Sequence, residues 1–302
     1  MTSAGSSTED TTETSPREEV PGLPRLNYNL LDHKWKLSIV TFLLVLESSI
    51  LPIALFYGLW FGTTLRHGIL FAIITAFFGI VTGLEFGLRC LKLIKKKDTY
   101  RPPGGGRWKF DFTHWTLSFG YTYMTAILIG ASIPWEPLVR PLAMPVSLFF
   151  IQVGLELVVS GVMNAMGRRA PFKMSSVPKG AKVPPLVLTI VEDIVGVDGG
   201  AGKSYRKRLM DRYKASARFR AIIRGMTWFW GVGALLDGIG TLVVIWTVPQ
   251  EVAYGVGWGS PLVFVIVWVI ITVHWVRNRL RNEKKHWVED RQCHELGTEI
   301  RS

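Results

Sequence analysis

Long apolar runs alternate with short polar ones along most of this chain. Six runs reach the length of a membrane span: Leu37–Phe61, Gly68–Leu88, Thr113–Ile133, Leu142–Met166, Ile222–Val248 and Val252–Val276. A helix of about 20 mostly apolar residues crosses a bilayer. The pattern predicts an all-α bundle of six membrane helices over residues 35–276. Residues 1–34 are rich in Ser, Thr and Glu, have no apolar core of their own and read as a disordered tail, not a signal peptide. The first helix then serves as an uncleaved anchor. Residues 277–302 read as a basic tail.

Charge adds an orientation. The chain carries 35 Lys and Arg against 23 Asp and Glu, a net charge of +12. In a soluble protein that excess would suggest nucleic acid. Here the cations sit between apolar runs. The three short connections after runs one, three and five hold two of them, Arg66 and Arg140. The longer connections and both tails hold 32. The positive-inside rule puts both termini in the cytosol, with three tight hairpins outside. Trp60, Trp135, Trp246 and Trp258 fall near the outer interface and Trp35, Trp115 and Trp275 near the inner one, as an aromatic belt requires. The two cysteines, Cys90 and Cys293, both flank cytosolic ends, so no disulfide is expected.

Gly79, Gly83 and Gly87 are spaced by four, a stripe on which another helix can pack closely. Gly255, Gly257 and Gly259 are spaced by two and suggest a loosened helix start. The loop over 167–221 is too long for a simple connector. Its Lys203–Gly225 stretch, with Tyr205, Leu209, Tyr213 and Phe219 among the cations, reads either as a helix on an anionic cytosolic leaflet or as a solvated linker.

Several motifs look chemical and are not. Gly196–Ser204 resembles a phosphate loop, but the first glycine is one position early and no βαβ pattern follows. Glu192, Asp193 and Asp198 form an acidic group. No second cluster accompanies them, so they are expected to be solvated or to pair with the loop's cations, not to hold Mg²⁺. His114 and His274 sit at inner helix ends, where a lone His is usually an interfacial anchor. No metal motif and no cofactor motif is visible.

The informative residues are carboxyls inside the apolar runs. Glu47 and Glu156 each lie ten residues from an inner helix end, about 15 Å deep; Asp237 lies fifteen in, about 22 Å. Glu85 is three residues from its inner end, with Arg89 one turn below as an i,i+4 partner. An intramembrane carboxyl is a functional-site hypothesis by default. Glu47, Glu156 and Asp237 have no cation at their depth, so retaining the proton lowers their cost, and a neutral carboxylic acid is a proton donor. Trp115, Tyr121 and Tyr123 fall on the third run and Trp228 and Trp230 on the fifth, around these acids. Their faces are either ordinary filling or stabilisers of a cation. An acid beside a π-lined, water-free cavity is what protonation-started carbocation chemistry needs.

Five strings are distinctive: Glu47-Ser48-Ser49-Ile50-Leu51-Pro52, Tyr57–Thr64, Ser175–Gly180, Glu192–Gly199 and Val252–Trp258. They resemble fungal multi-spanning proteins, some of them similar to the transmembrane terpene cyclases of meroterpenoid pathways, of the ascochlorin, ascofuranone and macrophorin type. The resemblance covers about Leu37 to Trp275. It implies a metal-independent enzyme of secondary metabolism, sited in the endoplasmic reticulum, that cyclises a lipid-soluble farnesyl-type substrate. It assigns no catalytic residue. From the residues, Glu47 is the first choice for the acid, with Glu156 or Asp237 as its partner. Two rivals stand beside the cyclase: a proton-coupled transporter, and a scaffold that contacts other pathway enzymes through the basic loop.

Overall fold

The computed structural model describes residues 46–103 and 110–299, together with Leu23, Pro24 and Leu26. Among the described residues there are helices and no strand; only two isolated bridges occur, both in the long loop. A π-helical turn, Leu46–Ile50, leads into α1, Leu51–Gly62. Then come α2, His67–Lys95, α3, Phe112–Ser132, and α4, Pro145–Ala165. The loop holds α5, Leu186–Asp193, and α6, Gly202–Ala215. Two long helices follow, α7, Ala217–Thr247, and α8, Gln250–Glu299.

Helices α2, α4, α7 and the first part of α8 are long and apolar enough to cross a membrane. Helix α3 spans 21 residues, but its Thr, Ser, His and Gly content leaves it less apolar than those four. Of the first expected span only its second half is described; residues 37–45, Trp35 and the side chain of Glu47 lie outside the described residues. Large apolar side chains point away from the bundle. Leu84 is 63% exposed, Leu236 69% and Ile270 64%. An outward face of that kind suits lipid, not water.

Two apolar clusters hold the molecule. One, at the end with the short connections, brings Phe56, Phe71, Ile74, Leu128, Leu142, Tyr254 and Trp258 together. Arg66 reaches the carbonyl of Trp135 at 3.4 Å and Arg140 that of Ile245 at 2.6 Å, so the hairpins are tied to one another. Trp258 is fully buried and donates to the carbonyl of Leu142 at 3.1 Å; it is core and not part of a belt. The second cluster, at the basic end, is the long loop folded on the ends of α4 and α7: Met174, Val183, Leu186, Leu188, Tyr205 and Leu209 pack with Leu157, Phe219 and Ile223.

The glycines depart from the sequence reading. Among the described residues no atom lies within 4 Å of where a Cβ would stand on Gly79, Gly83 or Gly87, so no described helix packs on that stripe. The close approach is between α4 and α7. There a Cβ on Gly154 would stand 3.0 Å from the Gly231 carbonyl, and one on Gly238 2.8 Å from that of Ser147. Inside a membrane such van der Waals contact, not the hydrophobic effect, holds helices together. Gly255 and Gly257 lie in regular helix, where α8 presses on Tyr57 and Ala143, so the helix start is tight and not loosened.

The tail is also helix. Helix α8 runs straight through 277–299, and Glu283, 1% exposed, binds Arg212 of α6 at 2.6 Å. Helix α6 is therefore not a solvated linker: Tyr205, Arg206, Leu209 and Arg212 are buried along one face, and Lys203, Lys207 and Lys214 are exposed on the other. It ends where Ser216 adopts an extended conformation and caps α7, accepting from Phe219 N–H at 3.0 Å.

Candidate active site between the membrane helices

Helices α4 and α7 run antiparallel, with Gly154 against Gly231 and Ser147 against Gly238. This register puts Glu156 opposite the Gly231 level and Asp237 opposite the Ile151 level. Their heights differ by about 8 Å, the depth order expected from counting. Their directions differ as well. Glu156 faces α3, and Asp237 faces α8.

On the α3 side, Gly120 sets the spacing. A Cβ there would stand 2.6 Å from the Phe149 ring, so only glycine lets that ring lie on α3. This brings Thr116 Oγ1 to donate to Glu156 Oε2 at 2.9 Å, and Gln152 Nε2 to donate to Glu156 Oε1 at 2.8 Å. Both carboxyl oxygens are thus engaged. Tyr121 stacks on Phe149 with centroids 6.5 Å apart and meets Phe86 edge-on at 5.7 Å. The Tyr123 hydroxyl and Gln152 Oε1 are buried with no hydrogen-bond partner among the described residues. Trp115, 59% exposed, points out of this seam.

On the α8 side, Thr241 Oγ1 donates to Ser260 Oγ at 2.9 Å, and Ser260 donates to Asp237 Oδ1 at 3.1 Å. Thr241 is one turn beyond Asp237 on α7, so the three groups form a short hydroxyl relay along the seam. Asp237 Oδ2 is buried with no hydrogen-bond partner among the described residues. No ion pair engages Asp237 or Glu156 among the described residues. One turn along α8 from Ser260, Phe264 meets Phe150 at 5.6 Å and Trp230 at 6.2 Å, both edge-on, and lies 4.4 Å from the Trp268 ring. Trp230 also donates to Thr272 at 3.1 Å. Trp228 packs instead on Gly161 in the α4–α7 seam.

The π-helical turn that contains Glu47 also packs against α8, as well as against α2. A π turn interrupts the regular ladder and recurs at functional positions. Glu156 and Asp237, by contrast, lie on opposite sides of the α4–α7 pair. Trp230 packs on Phe264, one turn along α8 from the Ser260 that binds Asp237, and Tyr121 packs on Phe149 of the α3–α4 seam that holds Glu156. Glu156 and Asp237 are not drawn together.

At the basic end a different set of charges is buried. Glu85 does not pair with Arg89 as its spacing suggested. Arg89 turns to Asp111, at 2.8 Å, and to Asp198. Arg206 lies between Glu192 at 2.8 Å and Asp193 at 2.6 Å, and 3.6 Å from Asp111. Ser175 donates to Asp193 at 2.6 Å, Thr113 Oγ1 does so at 3.0 Å, and Ser176 donates to Glu192. Asp111 caps α3, accepting from His114 N–H at 2.7 Å. The acidic group is thus the partner of the cations, and no metal-holding group occurs among the described residues. Burial, then the neighbouring Asp193, pushes the Glu192 carboxyl up to about 7 despite Arg206. Burial and Asp111 push Asp193 up; burial pushes Asp198 up while Arg89 pulls it down. The phosphate-loop look-alike belongs to this knot. Gly196 leaves room for the Arg206 side chain, 3.0 Å from where its Cβ would be, and Gly202 turns the chain at φ +65°. His114 is buried between Phe86 and Phe110, and His274 is exposed.

Four helices of spanning length and acids held between them define an α-helical membrane protein. The chain belongs to a family described as a domain of unknown function, DUF8766, whose model matches residues 12–287. No curated protein and no solved structure matches it.

Proposed function

We propose that the protein is a membrane-embedded terpene cyclase with six spans, both termini in the cytosol, sited in the endoplasmic reticulum. It protonates an alkene or epoxide of a farnesyl-type, lipid-soluble substrate and guides the cation that results. The observation that carries this reading is Asp237: a carboxyl between membrane helices with one oxygen that has no hydrogen-bond partner among the described residues, a Thr241–Ser260 relay on the other, and Phe264, one turn along α8 from Ser260, edge-on to Phe150 and Trp230. The free oxygen gives the proton to the substrate's double bond or ring oxygen. The aromatic faces stabilise the charge as it moves along the chain. Glu47, on the turn packed against the same α8, is the partner of choice. Glu156, with both oxygens bonded, holds the α3–α4 seam. The test is to purify the full chain in detergent and offer a farnesylated phenol or its epoxide. D237N should abolish cyclisation, and unchanged turnover by that variant refutes the assignment.

Proton-coupled transport is the second reading. What favours it is the placing of Glu156 and Asp237 on separate seams about 8 Å apart in depth, a stepped path for a proton. Product formation without a membrane gradient separates the two.

A further inference from the structure

At the basic end of α4 and α7 lies a cleft of about 470 Å³, within the range of small-molecule sites. It is independent of Asp237 and of the cyclase reading. Four cations converge on it from three elements. Lys182 comes from the long loop, Lys214 from the last turn of α6, and Arg220 and Arg224 from successive turns of α7. Among the described residues none of the four has a carboxylate within 4.0 Å. Arg220 is held by the carbonyls of Lys214, at 2.7 Å, and Tyr213, at 3.2 Å, which fix its guanidinium at the rim.

Two acids of this region, Glu192 and Asp193, are turned inward, while Asp211 is exposed on α6. Glu192 and Asp193 are 1% and 0% exposed and are bound to Arg206. Ser176, on the cleft wall, donates a hydrogen bond to Glu192. Among the described residues the cleft therefore presents four positive charges with no ion-paired acid. Its lining also includes the apolar side chains of Val177, Pro178 and Met210. The back is fixed: Asn164 donates to the Val183 carbonyl at 2.6 Å, and the Tyr213 phenol bonds to Asn164.

We infer that this cleft binds a phosphoryl group, a phosphate or diphosphate monoester attached to an apolar body. Four charges at close quarters match a multiply charged anion better than a single carboxylate, and the Arg forks suit phosphoryl oxygens. The apolar side chains of the lining take the first carbons beyond the ester. The source is either the headgroup of a bilayer lipid such as phosphatidic acid or a soluble diphosphate.

The full-length protein in phosphatidylcholine nanodiscs tests this. Inorganic pyrophosphate is titrated by calorimetry, and retention of phosphatidic acid is read by native mass spectrometry. The triple variant K182Q/K214Q/R224Q should weaken binding of the effective probe by about tenfold or more. The control K203Q/K207Q/K285Q removes equal charge elsewhere and should change it by less than about twofold. The single K182E, at an exposed side chain, should also weaken it. Binding of lipid alone assigns the site to a headgroup, and binding of pyrophosphate alone to a soluble diphosphate; both support the inference. Equal losses in the two triples, or no binding of either probe, overturns it.

Discussion

Arg206 Nη1 and Asp193 Oδ1 lie 2.6 Å apart, and neither side chain has any exposed surface. They come from α6 and α5, and Arg206 also reaches Glu192 and the cap residue Asp111. One guanidinium thus joins the long loop to the start of α3, with Arg89 of α2 on the same Asp111. Breaking such a pair from one side leaves charge buried without a partner, which costs about 3–5 kcal/mol. R206Q should therefore lower the thermal midpoint and open the loop to trypsin, while K207Q, at an exposed neighbour, should do neither. A protected loop in R206Q would contradict this role.

The same knot predicts a pH dependence. The Glu192 carboxyl titrates near 7 in the folded protein instead of near 4.5. A raised carboxyl favours folding while protonated: its stabilisation is complete below 4.5 and is lost as pH climbs through 7. Asp193 and Asp198 shift in the same direction. From pH 5 to pH 8 the basic end should lose up to about 3 kcal/mol through Glu192. Thermal midpoints across that range measure it. E192Q, which mimics the protonated acid, should flatten the profile and be the more stable form at pH 8. A wild-type profile as flat as that of E192Q would count against the assignment.

Glycine supplies a sharper stability test. Gly202 sits at φ +65°, and a Cβ there would stand 2.9 Å from the Thr99 carbonyl. G202A should cost about 1–3 kcal/mol. Gly240 is helical with nothing within 4 Å, so G240A should stay within about 0.5 kcal/mol of wild type. Chemical unfolding of the two variants side by side gives the comparison.

The contrast between these glycines shows what the chain reveals by itself. Spacing on one helix marked Gly79, Gly83 and Gly87, yet the packed glycines are Gly154, Gly231 and Gly238, a pairing made across two helices far apart in sequence. Depth was legible by counting along a helix, so the relative heights of Glu156 and Asp237 agree with expectation. Azimuth was not. Helices apolar on every side carry no stripe to say which face turns inward, and so nothing indicated that the two acids face different neighbours. Arg89 was assigned the nearest carboxyl in sequence, Glu85, because i,i+4 is the only pairing a sequence displays. Its real partners, Asp111 and Asp198, arrive through loop folding. The strings Ser175–Gly180 and Glu192–Gly199 were distinctive for a reason now visible: they build the charge knot. The charged stretch after 276 gives no apolar signal of a helix, yet α8 continues through it, and Glu283 docks it on Arg212.

The relay on Asp237 separates a chemical role from a packing one. Ser260 and Thr241 touch the carboxyl only through hydrogen bonds, and both side chains sit in helix whose backbone is already satisfied. S260A removes the one donor to Oδ1, and T241V removes the donor behind it while keeping the volume. If the relay only held α7 to α8, each would lower the thermal midpoint and leave the pH dependence of turnover alone. As the support of a proton donor, it should do more. S260A should move the acid limb of the turnover profile and slow the protonation step by about 10–100-fold, the scale of general acid–base contributions, and T241V should act in the same direction by less. D237N should be inactive yet fold as well as wild type, since asparagine keeps the acceptor for Ser260. The measurement is turnover against pH for all three in detergent, beside their melting curves. A D237N that melts early and a pair of relay variants with unshifted profiles would make Asp237 a packing residue and leave the proton donor to be sought at Glu47.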